Sequence, residues 1–269
     1  NVGNPSQHIG WISKFGNRLD LPVEGVGECV CPGTKEKYVL NKNICVCIKP
    51  WNLIRKRMIL DNKKVVVIGG AGLIGSHTVD QLLNEKVKEI LIYDNMTRGS
   101  EKNLKNALSD KRVKICDIGG DILQADILEK ALQGADGVFH FAALWLLQCH
   151  EFPRAAFDVN IKGTFNVMEA CLKNDVKRLV YSSSASVYGD AIAEPMREDH
   201  PFNNKNFYGS TKIACEAMLR AFYHRYKLNY VGLRYMNVYG PRQDYKGAYI
   251  AVIMKMLDAI DRGMSPTIM

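Results

Sequence analysis

The sequence has no run of about 18 unbroken apolar residues, so no membrane-spanning helix and no membrane partner are expected. Its 22 Gly and 9 Pro in 269 residues are ordinary levels, which excludes collagen-like and low-complexity chains. Charge of one sign is not in large excess: 36 Lys+Arg against 28 Asp+Glu leave +8. With 47% hydrophobic residues, that balance excludes a disordered chain. The first residue is not Met and the first segment forms no signal peptide. No internal repeat of fixed period is present. The 8 Cys are an even number, but the chain is too long for a disulfide scaffold. Cys116, Cys149, Cys171 and Cys215 stand singly in apolar surroundings and read as buried small hydrophobes. The positive balance suits an acidic partner: nucleic acid, a membrane surface or a phosphorylated small molecule would each fit. Apart from Arg55-Lys56-Arg57 the cations are dispersed, as on a solvated surface, and no nucleic-acid partner is expected.

The chain divides into two unequal pieces. Residues 1–50 carry Gly, Pro and Asn turns and four of the eight Cys, without helical periodicity. Glu28 to Cys31 and Tyr38 to Leu40 read as short strands around Pro32-Gly33. Residues 51–62 read as a linker, with a candidate internal start at Met58. From Lys63 onward β-rich runs alternate with helical stretches. Strands are expected at Lys64 to Ile68, Glu89 to Tyr93, Lys111 to Cys116, Gly137 to Phe141, Arg178 to Ser182 and Asn229 to Arg234. Helices are expected at Ser76 to Asn84, Ala125 to Gln133, Phe152 to Lys173, Phe207 to Tyr226 and Tyr249 to Arg262. That alternation argues for an α/β fold, a parallel sheet with helices on both faces.

Gly69-x-x-Gly72-x-x-Gly75 follows the first of these strands and opens a helix. Gly69 permits a tight turn, Gly72 a close approach of backbone to a pyrophosphate, and Gly75 close packing of helix on sheet. The helix N-terminus then offers free N–H groups to the anion. Asp94, at the end of the second strand, is placed to accept both hydroxyls of an adenosine ribose. A carboxylate there repels a 2′-phosphate, which favours NAD over NADP; Arg98, four residues on, argues the other way.

Ser182, Ser183, Ser184 and Ser186 cluster at the end of the fifth strand, where α/β sheets bind ligands. Tyr208 and Lys212, four residues apart, share one helical face. A free tyrosine, with a pKa near ~10, is a poor base at neutral pH. A neighbouring ammonium favours the phenolate and lowers that pKa. With Ser184 binding the substrate oxygen, the trio suits removal of an alcohol proton while hydride leaves the same carbon for a nicotinamide.

These pieces resemble the extended short-chain dehydrogenase/reductase family, in its nucleotide-sugar epimerase and dehydratase branch. The resemblance rests on VVVIGGAGLIGSH (65–77), YDN (93–95), Asp121-Ile122, HFAA (140–143), VNIKGTFNVMEAC (159–171), YSSSASVYG (181–189), YGSTK (208–212) and LRYMNVYGPRQ (233–243). They stand in family order and cover nearly all of residues 63–245. The resemblance implies a Rossmann-like, doubly wound parallel sheet. It also implies a C-terminally truncated substrate lobe within a domain of residues 63–269, and hence cofactor binding with impaired turnover. It places Gly69, Gly72, Leu73, Ile74, Gly75, Asp94, Asn95, Asp121, Ile122, Phe141, Ala142, Ala143, Asn160, Tyr208, Lys212 and Tyr235 at NAD. Ser184, Tyr208 and Lys212 become the catalytic trio, and Ser184, Ser186 and Asn237 contact substrate. No metal is implied. A nucleotide-sugar substrate, a homodimer through the two long helices and a cytoplasmic location follow from the same likeness.

The 4,6-dehydratases of the family carry an Asp-Glu pair after a Thr. Here Ser184 is followed by Ala185 and Ser186, as in the 4-epimerases. Epimerisation at C4 of a UDP-hexose through a 4-keto intermediate is the favoured expectation. A dehydratase, decarboxylase or reductase on the same scaffold, or a non-catalytic NAD-binding assembly protein, is the alternative. Leu144 to Cys149 is bulkier and more apolar than usual for a 4-epimerase, fitting either core or an unusual sugar pocket. Residues 1–50 resemble the C-terminal tail of a hexapeptide-repeat sugar N-acetyltransferase, through Val2 to Gln7, Ile9 to Ser13, Arg18 to Leu21 and Cys29-x-Cys31-Pro32. The coils that bind acetyl-CoA are absent, so no transferase activity is expected, and an oligomerisation or docking module is the rival reading. Cys29, Cys31, Cys45 and Cys47 form two C-x-C pairs that facing strands would bring together, but zinc ribbons favour C-x2-C. Inert thiols in a small hairpin are the expectation.

Overall fold

The computed structural model describes residues 11–12, 17–33, 37–42, 44–48, 58–192, 194–243 and 252–266. The acyltransferase-like residues 2–7, the basic run Arg55 to Arg57 and the first turn of the expected 249–262 helix lie outside them. The chain forms two compact units, Asn1–Ile59 and Leu60–Met269.

In the first unit, β1 (Trp11–Ile12) pairs antiparallel with β2 (Arg18–Leu19). Strands β3 (Val26–Val30), β4 (Lys37–Asn41) and β5 (Ile44–Ile48) form an antiparallel meander. Leu19, Cys31 and Tyr38 make its small core. Cys29 and Cys47 are both register partners of Tyr38, so β4 lies between the two C-x-C strands. The two C-x-C pairs therefore do not lie on neighbouring strands. Among the described residues no group of three or more His, Cys, Asp or Glu is placed to hold a metal ion.

In the second unit, six parallel strands make one sheet: β6 (Lys64–Ile68), β7 (Glu89–Tyr93), β8 (Val113–Ile115), β9 (Gly137–His140), β10 (Arg178–Ser184) and β11 (Tyr230–Tyr235). Their order is β11-β10-β9-β6-β7-β8. Chain direction across the sheet reverses between β6 and β9, which opens a crevice beyond their carboxyl ends. β6 is buried on both faces: Val66 and Ile68 join one core cluster, Val65 and Val67 the other. Its apolar run has no polar alternation because neither face meets water.

Helix α1 (Leu73–Leu83) starts three residues before the expected Ser76, because Gly72 already has the extended backbone of a cap. After α2 (Ala125–Ala131) and a short α3 (Leu146–Glu151), which was not expected, the expected helix 152–173 is present as one continuous helical run. It comprises α4 (Pro153–Ala156), a π-type stretch at Phe157–Gly163 and α5 (Thr164–Lys173). Pro153 sits at the first turn of α4, where its missing N–H is harmless and where it ends α3. Helix α6 (Phe207–Tyr226) has the expected bounds, with the Asn206 side chain accepting from Gly209 N at its start. A last helix, α7, spans Val252–Asp261. Cys149, Cys171 and Cys215 are buried as expected, whereas Cys116 is only half-buried beside the core. Among the described residues no helix is long and apolar enough to cross a membrane.

Candidate active site

The turn after β6 is shaped by contacts that only glycine allows. Gly69 has φ +77°, and a Cβ there would lie 2.7 Å from the Ala142 amide nitrogen. A Cβ on Gly75 would overlap Gly69 O and come within 2.7 Å of Gly70 Cα. The first condition lets β6 turn sharply beneath the end of β9, and the second seats α1 on the turn. At Gly72 an added Cβ would meet only Gly69 O, at 3.4 Å, so that position faces open space.

Asp94, at the end of β7, accepts from Ala71 N at 2.9 Å through Oδ2 and from Met96 N at 2.8 Å through Oδ1. Each carboxylate oxygen has one backbone donor and a lone pair to spare. Asn95 is exposed, and its side chain accepts from Thr97 N. Asp121 accepts from Leu123 N, while its carbonyl receives the Tyr93 hydroxyl. Ile122 is buried against Gly163, and its carbonyl accepts from the Asn166 amide at 2.9 Å. Phe141, Ala142 and Ala143 follow β9 half-buried, and Leu73 and Ile74 open α1 beside the turn. This half of the crevice fits a dinucleotide: the turn leaves room for a diphosphate, and Asp94 is an oriented acceptor for ribose hydroxyls.

The second half lies at the ends of β10 and β11. Ser184 Oγ hydrogen-bonds both the Tyr208 hydroxyl and Ser186 Oγ, the latter at 3.2 Å. Lys212 is 3% exposed, donates to Ser182 O at 2.8 Å, and stands 5.6 Å from the centre of the Tyr208 ring. The helical spacing thus brings Ser184, Tyr208 and Lys212 together. The expected effect on the tyrosine is corrected. Burial raises the Tyr208 pKa above its ordinary value, outweighing the lowering by Ser184. The ammonium, 5.6 Å from the ring centre, donates to the Ser182 carbonyl. Burial also lowers Lys212 to about 8.

Asn160, 2% exposed, sits in the π-type stretch and points into the protein. Its Oδ1 accepts from Leu144 N at 2.7 Å, and its Nδ2 reaches Leu144 O at 3.1 Å and Thr211 Oγ1 at 3.1 Å. It therefore braces the segment after β9 and ties it to α6. Tyr235 is half-buried and Asn237 is exposed. Within Leu144 to Cys149 only Cys149 is buried, so this apolar segment is not simply core.

The structure adds two features that motif reading missed. Glu216, one helical turn beyond Lys212, accepts from Ser183 Oγ at 2.5 Å. It also takes a two-point bond from Arg234 at 2.9 and 2.7 Å. Its spacing of four from Lys212 was the available signal. The guanidinium of Arg98 lies 4.7 Å from the centre of the Trp145 ring, a contact no local pattern announces.

A glycine turn, an acid after the next strand and a Ser-Tyr-Lys cluster stand together across the switch point, an arrangement suited to a dinucleotide beside a proton-transfer group. Residues 65–269 match the model of the NAD dependent epimerase/dehydratase family. The chain belongs to that family, whose cofactor is NAD. A putative UDP-glucose 4-epimerase of Methanocaldococcus jannaschii is 36% identical over 207 residues, covering 76% of this chain and 65% of the relative. The structure of a UDP-N-acetylglucosamine 4-epimerase from Methanobrevibacter ruminantium, in complex with UDP-N-acetylmuramic acid, matches with TM-score 0.72 and 41% identity. That match covers 77% of this chain and 66% of the other. A UDP-glucose 4-epimerase of Thermus thermophilus, solved with NAD, matches with TM-score 0.66 and 33% identity over 75% of this chain and 63% of that one. The chain therefore spans just under two thirds of the length of these relatives.

Proposed function

We propose that this protein is an NAD-dependent epimerase that inverts C4 of a UDP-hexose through a 4-keto sugar. The observation that carries the reading is the hydrogen-bonded Ser184–Tyr208 pair beside buried Lys212, across the switch point from the glycine turn. NAD, when bound, supplies the acceptor and donor of hydride. Tyr208, as the phenolate that the Ser184 hydroxyl favours against burial, takes the proton of the 4-hydroxyl and returns it after the keto sugar has turned over. Ser184 holds the oxygen from which that proton leaves. Lys212 keeps a positive charge beneath the phenol ring. Asp94 and the glycine turn hold the cofactor's ribose and diphosphate, and Asn237 meets the substrate diphosphate.

Elimination of water would need an acid and a base beside the sugar. Ala185 and Ser186 follow Ser184, and Glu216, the carboxylate that reaches Ser183, is already held by Arg234. A homodimer through the two long helices, the run over 153–173 and α6, is part of the proposal. Phe157 and Phe165, two turns apart and 46% and 37% exposed, supply an apolar face for it. A cytoplasmic location completes the reading. The test is incubation with NAD and either UDP-glucose or UDP-N-acetylglucosamine, in ordinary and heavy water. The expected product is the C4 epimer without solvent deuterium; product lighter by one water, or deuterium at C3 or C5, overturns it.

A further inference from the structure

Two oddities of the sequence, Arg98 after the acid and the bulky Trp145 after HFAA, meet in space. Strand order places β6 between β7 and β9. Any contact between the segment after β7 and the segment after β9 must pass over the carboxyl end of β6, where the glycine turn lies. The Arg98 guanidinium stacked 4.7 Å from the Trp145 ring centre is such a contact. Both of its supports are braced. The segment carrying Arg98 is pinned to Ala71 of the glycine turn at each end: Asp94 Oδ2 accepts from Ala71 N at 2.9 Å, and Ser100 N donates to Ala71 O at 3.2 Å. The segment carrying Trp145 is pinned by Asn160, whose amide holds both the N–H and the carbonyl of Leu144. Arg98 is exposed and Trp145 half-buried, so the joint lies at the mouth of the crevice.

We propose that Arg98 and Trp145 form a latch across the dinucleotide crevice, holding the cofactor by closing over the glycine turn and by setting a cation near its diphosphate. The inference rests on NAD binding in this crevice. A cation on an indole face is a weak bond at an exposed site, so the latch opens readily and slows release without blocking entry. It answers the doubt that Arg98 raised about cofactor choice: its guanidinium is engaged by Trp145, while the Asp94 carboxylate keeps its spare lone pairs. The latch also gives the Leu144 to Cys149 segment a role beyond packing.

The test measures NAD release from the full chain by rapid mixing of preloaded protein with a trapping excess of a competing dehydrogenase, which reads dissociation without sugar turnover. Arg98→Ala and Trp145→Ala are each expected to speed release by about five- to tenfold, as loss of a cation–π contact together with a charge near a diphosphate implies. The double variant is expected to be no faster than Arg98→Ala alone, since Trp145 acts only through Arg98. Trp145→Phe retains part of the effect, and raising salt narrows the gap between Arg98→Ala and the parent. Unchanged release in Arg98→Ala, or additive effects in the double variant, overturns the latch. So does an Arg98→Ala defect confined to NADP, which would make Arg98 a reader of the 2′-phosphate. Failure of the parent chain to bind NAD in a direct titration overturns both the latch and the cofactor assignment, whereas normal retention without sugar turnover leaves the latch standing and removes only the epimerase.

Discussion

The two halves of the crevice are built from different materials. The half around β6 and β7 is shaped by backbone: a glycine turn whose form no Cβ permits, and one side-chain carboxylate oriented by two amides. The half around β10 and α6 works through side chains that the fold has buried and tied: Lys212 on the Ser182 carbonyl, Tyr208 on Ser184, Glu216 between Ser183 and Arg234. Backbone recognition costs little to keep, because its polar groups are satisfied by local geometry. A buried ammonium and a desolvated phenol are held against their solvation, so the catalytic half is where the fold carries strain of charge. Chemistry and cofactor affinity should therefore separate on mutation.

The sharpest break is Tyr208→Phe. Removing the group that carries the proton is expected to lower sugar turnover by about a thousandfold. NAD affinity should move by less than about tenfold, the worth of a single hydroxyl hydrogen bond. Initial rates and a direct NAD titration check the two arms. A parallel collapse of NAD binding would mean that the halves are one unit.

A smaller effect tests the charge held at Lys212. Its pKa is lowered to about 8 by burial, whereas the unfolded chain holds that proton to about 10.5. Below pH 8 both states are protonated, and the buried ammonium weighs on the fold in full. Between pH 8 and 10.5 the unfolded state binds the extra proton, so the penalty fades as pH rises. The depression corresponds to about 3 kcal/mol. Lys212→Met, in the cofactor-free protein, is expected to be more stable than the parent at pH 7, less the cost of leaving the Ser182 carbonyl without its donor. Urea unfolding should show that advantage shrinking from pH 8 to 10.5. A constant difference across this range would show that no buried charge is being carried.

What could be read in advance follows the same division. The alternation of apolar strands and helices, the glycine turn and Asp94 are local patterns, and β6, β7 and α6 form where the residues say. The pairing of Tyr208 with Lys212 was legible because helical spacing alone brings them to one face. The direction of the Tyr208 pKa was not, since it depends on burial by distant segments and on where the ammonium finds its acceptor. The π-type stretch that turns Asn160 inward was hidden in a continuous helical pattern, because it goes with contacts to Leu144 and Thr211 that lie far off in the chain. Ser183–Glu216–Arg234 and Arg98–Trp145 join residues 18 to 47 apart in the chain, beyond the reach of periodicity.

The smallest expected effect concerns Glu216, where the catalytic half is braced from behind. Its carboxylate and the Arg234 guanidinium are 17% and 19% exposed, so the pair is mostly but not wholly removed from water. Removing one partner leaves the other charge poorly solvated, and in a site open to this extent the loss is expected to be about 2 kcal/mol, below that of a fully buried pair. Glu216→Ala and Arg234→Ala should each show it in urea unfolding, and the double variant should lose less than their sum, because the stranded charge is gone. The bond from Ser183 adds a consequence for catalysis. Ser183 precedes Ser184 on β10, and Glu216 lies on the helix that carries Tyr208 and Lys212, so the carboxylate fixes the strand end against the helix. Glu216→Gln keeps a hydrogen-bond acceptor for Ser183 while weakening the hold of Arg234, and should lower kcat by a smaller factor than Glu216→Ala, with NAD affinity unchanged in both. Loss of NAD affinity in step with kcat would instead tie the brace to the whole crevice and erase the distinction between its halves.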